Sequence, residues 1–122
     1  MRKLEILQWT GLFGGALFWG LSHVVGYGVT EARCSSGGTG WSIQFDLWEA
    51  LVNGLAWGLC LAAAVASVAV ILLTRGSSYE AAPPVGRLRF FAIAALAANT
   101  IFMVALLLYL LGTVSNVVCR QG

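Results

Sequence analysis

Charge is scarce in this chain. Only 10% of its 122 residues are Asp, Glu, Lys or Arg, 59% are hydrophobic, and no charged side chain stands between Arg89 and Arg120. A water-soluble fold of this length has no means of hiding so much apolar surface, which excludes an ordinary soluble domain. The seven Lys and Arg residues sit at segment ends without forming a basic patch, which argues against a nucleic-acid partner. Histidine is rarer still. With His23 alone, a six-coordinate haem held by this chain would have to take its second axial ligand from Met1 or Met103. Cys34 and Cys119 with no nearby His fall short of the four-ligand set of a structural metal site. No train of carboxylates runs through the apolar segments, which argues against a proton or ion pump built from this chain by itself.

What the sequence has instead is three long apolar runs, each exceeding the roughly 20 residues that a helix needs to cross a bilayer core. They predict an all-α integral membrane protein with a single three-helix domain. The first transmembrane helix is expected over residues 6–29, an outer loop over 31–46, the second helix over 47–74, a connection over 75–87 and the third helix over 88–114. Arg2 and Lys3 ahead of an apolar run have the look of a signal peptide. The run is long and lacks a small-residue cleavage site, so a retained first span is expected. Loop chemistry follows in Ser35-Ser-Gly-Gly-Thr-Gly, and the adjacent Pro83 and Pro84 break the chain before the third span.

Three crossings put the N-terminus and the 75–89 connection on one side, and the 31–46 loop and the C-terminus on the other. Arg2, Lys3, Arg75, Arg87 and Arg89 lie on the first side, against Arg33 and Arg120 on the second. This bias predicts a cytoplasmic N-terminus and an outer C-terminus. Tyr27, Trp41, Trp48 and Tyr109 would then form an outer aromatic belt, while Glu31, Asp46 and Glu49 fall on the outer side. Cys34 and Cys119 share that outer compartment, where a disulfide forms and persists. A Cys34–Cys119 bridge is therefore expected. In a soluble chain it would contribute about 4–5 kcal/mol, and less where the bilayer already confines the helices. Two free thiols are the alternative, and Cys60 reads as a small packing residue inside the second span.

Polar and small residues inside the spans carry the remaining information. Trp19, His23, Tyr27 and Glu31 are spaced by four and form one stripe, in which His23 reads as a haem ligand, a proton-handling group or a neutral, hydrogen-bonded imidazole. Asn53 and Asn99 suit interhelical hydrogen bonds. Gly11 with Gly15, and Gly54 with Gly58, form two Gly-x-x-x-Gly pairs, and Ser22 and Gly26 continue the first seam. Such pairs let backbones approach closely, either within the three-helix unit or against a larger membrane partner.

The stretch Gly14-Gly-Ala-Leu-Phe-Trp-Gly-Leu-Ser-His-Val-Val-Gly-Tyr, the outer Cys34, Gly86-Arg-Leu-Arg-Phe-Phe-Ala-Ile-Ala and the closing Cys119-Arg-Gln-Gly together carry a resemblance. The chain resembles a family of small bacterial membrane proteins encoded among haem-copper cytochrome oxidase genes. The resemblance implies a non-catalytic accessory or assembly subunit of a respiratory complex, partnered by larger integral membrane subunits and the lipid bilayer. Haem and copper would reside in those partner subunits, with no cofactor bound by this chain and no catalytic residue. A homo-oligomeric transporter or channel is the competing expectation, and it would require His23, Asn53 and Asn99 to line a polar path. A redox carrier using His23 or the outer thiols is the third.

Overall fold

The computed structural model describes residues 2–34, 45–78 and 80–115. They form three helices and no sheet: α1 Arg2–Cys34, α2 Phe45–Leu73 and α3 Val85–Ser115, each packed against the other two. All three contain stretches long and apolar enough to cross a membrane, at Arg2–Glu31, Leu47–Leu73 and Val85–Gly112. All three helices outrun their apolar segments. The 33 residues of α1 amount to about 50 Å of helix against a hydrocarbon core of about 30 Å. Arg, Lys and Glu at its ends are good helix formers, so loss of hydrophobicity does not end the helix. As a result, residues 31–34, expected in the outer loop, are the last turn of α1. The start of α3 falls immediately after Pro84, whose carbonyl accepts from Leu88 N at 3.0 Å. Proline is tolerated there because the first helical N–H groups have no intrahelical acceptor to lose.

The register follows from three rungs of contact. At the first, Gly11 of α1 meets Ser67 of α2 and Asn99 of α3. At the second, Gly15 meets Cys60 and Phe102. At the third, Gly26 lies against Tyr109, which reaches Glu49. Residue numbers fall along α2 and rise along α3 as they rise along α1, so α2 runs antiparallel to the other two. Arg2 and the 74–84 turn therefore share one end of the bundle, and Cys34, Phe45 and Ser115 share the other. In the turn, Thr74 Oγ1 donates back to Val70 O at 2.8 Å, Ser77 N donates to Thr74 O at 3.0 Å, and Arg89 donates from Nη1 to Ser77 O. These bonds tie the start of α3 to the end of α2.

The interior is built mainly from small side chains. Ala56, Cys60, Ala63, Ala64, Ala92 and Ala95 are buried, with Val70, Leu88 and Leu106 the larger exceptions. Lipid is as apolar as leucine, so burying leucine between helices gains little, whereas close backbone contact gains dispersion energy along the whole seam. Large side chains accordingly face outward, among them Phe13, Leu17, Leu55, Ile101 and Leu111. Trp9 and Phe13 stack on that outer surface with ring centroids 5.3 Å apart.

Candidate functional site

Two polar centres lie inside the bundle. The first is Asn99, which is fully buried and donates from Nδ2 to the Gly11 carbonyl at 2.8 Å. A helix carbonyl normally accepts from its own chain four residues on, so this bond uses a second lone pair and joins α3 to α1. Gly15 makes the approach sterically feasible, since a Cβ there would stand 1.8 Å from Asn99 Oδ1. A Cβ on Gly11 would stand 2.4 Å from Ser67 Oγ. Both glycines touch both neighbouring helices, but a Cβ on Gly11 would strike α2 and one on Gly15 would strike α3.

The second centre is nearer the Cys34 end and is organised around Glu49, which is only 7% exposed. Tyr109 Oη donates to Glu49 Oε1 at 2.7 Å, a short bond of the kind a carboxylate makes. Tyrosine reaches past α1 because Gly26 leaves room, a Cβ there lying 2.9 Å from Tyr109 Oη. One turn along α2, Asn53 donates from Nδ2 to the Glu49 backbone carbonyl at 3.0 Å. Its Oδ1 has no hydrogen-bond partner among the described residues, although Asn53 is only 2% exposed.

His23 flanks this centre. Its Nδ1 lies 2.9 Å from the Trp19 carbonyl, and a carbonyl accepts only, so Nδ1 carries the proton. The ring packs between Trp19 and Tyr109, with centroid separations of 4.7 and 5.0 Å. The imidazole is thus bonded within its own helix and held by aromatic neighbours from α1 and α3. The four-residue stripe does not stay together. Spacing by four on a helix of 3.6 residues per turn drifts about 40° per step, which leaves Tyr27 70% exposed and Glu31 outside while Trp19 and His23 are partly buried. Tyr109, expected in the aromatic belt, turns inward, and Glu49, expected as an outer charge, is the buried acceptor it meets.

The two centres are separate. Between them Cys60, fully buried with its thiol 3.5 Å from the Gly15 carbonyl, packs with Ala56, Leu106, Phe102, Met103 and Trp57. His23 and Asn53 therefore do not share a continuous polar path with Asn99. Gly54 and Gly58 are on neither interior surface. Both are exposed, with open space where a side chain would project. Cys119 and the Cys34 side chain lie outside the described residues, as do Met1 and Trp41. The Glu49–Tyr109 pair was missed in the sequence because its members are 60 positions apart; Glu49 and Asn53 at i and i+4 were the available signal. No known protein family, curated protein or solved structure matches this chain.

Proposed function

We propose that this protein is a non-catalytic accessory subunit that seats the outer face of α2 against a larger integral membrane protein. The observation that carries the reading is the placement of Gly54 and Gly58. The Gly11–Gly15 pair is consumed by packing inside the bundle, whereas Gly54 and Gly58 present bare backbone on an apolar outer face beside Leu51 and Leu55. A neighbouring helix docks closely on such a notch. The sequence resemblance is the support for a haem-copper oxidase or its supercomplex as the partner, holding the haem and copper. The basic-residue bias supports a cytoplasmic N-terminus, and the sequence resemblance is the support for a bacterial inner membrane. The parallel course of α1 and α3, which brings the Cys34 and Ser115 ends together, supports a Cys34–Cys119 bridge.

Purification at native expression level in mild detergent, followed by haem spectroscopy and mass spectrometry, tests the reading. Oxidase haems and large subunits should accompany the wild-type chain and be lost from Gly58→Leu, while that variant still inserts. The buried Glu49 favours a second reading, a homo-oligomeric transporter. A homogeneous homo-oligomer free of other subunits would select it and reject the first.

A further inference from the structure

The end of the bundle shared by Arg2 and the 74–84 turn gathers five of the seven Lys and Arg residues. Arg2, Lys3, Arg75 and Arg87 are exposed there, and none of these four side chains has a hydrogen-bond or ion-pair partner among the described residues. Arg89, which donates to Ser77 O, lies in the same layer. Measured along the helices from the rung of Gly11, Ser67 and Asn99, the five stand about 12–18 Å away. Neighbouring helices pack about 8–10 Å apart, roughly one Debye length, so charges on adjacent helices act together. Glu5 and Glu80 are the described acidic residues at this end, and five basic against two acidic side chains leave a net +3. Beyond Arg2, Ile6, Trp9, Phe13 and Leu17 follow at three- and four-residue spacing and continue one face of α1. Arg2 and Trp9 stand about 180° around the helix from Gly11, so this face looks away from the bundle. Its apolar members are all more than half exposed, and the rings of Trp9 and Phe13 stack with planes only 6° apart.

We propose that this end binds an anionic phospholipid of the surrounding bilayer, its phosphate held by Arg2 and Lys3 and an acyl chain laid along the Trp9–Phe13 stack. The depths match. From Arg2 to Glu31 the span measures about 45 Å, the thickness of a bilayer with both headgroup layers, which sets Arg2 among the phosphates of one leaflet. Trp9 lies about 10 Å further in, just past a headgroup layer of about 5–8 Å, at the boundary where indoles concentrate. A guanidinium gives paired N–H donors to phosphate oxygens, and the lysine ammonium adds a point charge. Arg75 and Arg87 raise the potential without touching the same headgroup. A choline lipid offers the phosphate too, but its own cation cancels the attraction, so the surface selects a lipid of net negative charge. An acidic protein segment would answer the charges and leave the stacked rings, which face the acyl region, unused. The site is separate from the Gly54–Gly58 face of α2 and is the same for either direction of insertion.

The full chain in phosphatidylcholine nanodiscs, doped with either dibrominated phosphatidylglycerol or dibrominated phosphatidylcholine of the same acyl chains, provides the test through bromine quenching of Trp9. The Trp9 signal is the difference between each protein and its Trp9→Phe form, which keeps a ring for the stack. At about 0.01 M salt, the glycerol lipid should quench wild type with an apparent affinity at least ~10-fold above that of the choline lipid, since each surface cation is worth about 5-fold toward anionic lipid. Arg2→Gln together with Lys3→Gln should lower that ratio at least ~5-fold, and Arg75→Gln together with Arg87→Gln by a smaller factor. All four side chains are exposed, so helix content by circular dichroism should not change. Raising the salt to about 1 M should collapse the preference in wild type without any substitution. Equal quenching by the two lipids in wild type, a preference that the folded Arg2→Gln/Lys3→Gln protein retains, or one indifferent to salt would each overturn the proposal. Equal quenching together with oligoglutamate binding that the same variant loses would overturn it in favour of an acidic protein partner.

Discussion

At the scale of single residues, the molecule depends on places where a missing side chain lets a polar one through. Gly15 and Asn99 are such a pair, as are Gly26 and Tyr109. Asn99 cannot swing away from a new methyl group without giving up its bond to the Gly11 carbonyl, since it is fully enclosed. Gly15→Ala should therefore lower unfolding stability in detergent by about 1–3 kcal/mol. Combining it with Asn99→Ala should cost less than the sum of the two single changes, as a double-mutant cycle would show. Additive costs would mean the two residues do not compete for the same space. Tyr109→Phe should cost about 1–3 kcal/mol by leaving Glu49 without its donor. Adding Glu49→Leu should recover much of that loss, because removing both partners leaves no buried acceptor unpaired; the unfolding midpoints of the single and double variants would reveal it. The identity of Asn99 as a buried amide was legible from its place in an uncharged run. Which carbonyl it would find, 88 positions away, was not, because sequence spacing carries no information on contacts between separate helices.

At the scale of the element, α2 shows why two identical motifs part company. Both Gly-x-x-x-Gly pairs put two glycines on one helical face, and periodicity reports that much. It does not report which neighbour the face meets. In water, the polar side of a helix identifies the exposed face, but in lipid the exposed and buried faces are both apolar and the signal vanishes. The structure breaks the tie, placing Gly11 and Gly15 inward and Gly54 and Gly58 outward. Gly54→Ala and Gly58→Ala in the isolated protein should consequently cause no loss of stability, since alanine is favoured over glycine inside a helix by up to about 1 kcal/mol and a methyl group there meets open space. A large loss, seen as a shifted midpoint in the same detergent assay used for Gly15→Ala, would place that face inside an oligomer of this chain.

At the scale of the whole molecule, the odd number of helices brings the ends of α1 and α3 to one side, whichever way the protein is inserted. The Cys34–Cys119 bridge is expected there. Non-reducing mass spectrometry of membranes prepared with thiols blocked at lysis should recover the two cysteines in one disulfide-linked peptide pair, while Cys60 remains a thiol. Alkylation of both Cys34 and Cys119 without prior reduction would rule the bridge out. The bridge and the insertion direction rest on the distribution of Cys, Lys and Arg along the chain. The bundle itself adds the parallel alignment of α1 and α3.

By itself the sequence determined that there are three apolar helices and roughly where they break, because crossing a bilayer requires an uninterrupted, internally hydrogen-bonded apolar segment and such segments are visible in one dimension. Only the tertiary structure decided which glycines are covered, that Tyr109 turns from the expected belt to Glu49, and that Asn53 keeps an unused oxygen beside it. Those outcomes depend on the rotation and register of each helix about its own axis. With lipid and protein equally apolar, rotation and register are set by close contact between helices distant in sequence, and hydropathy does not encode them.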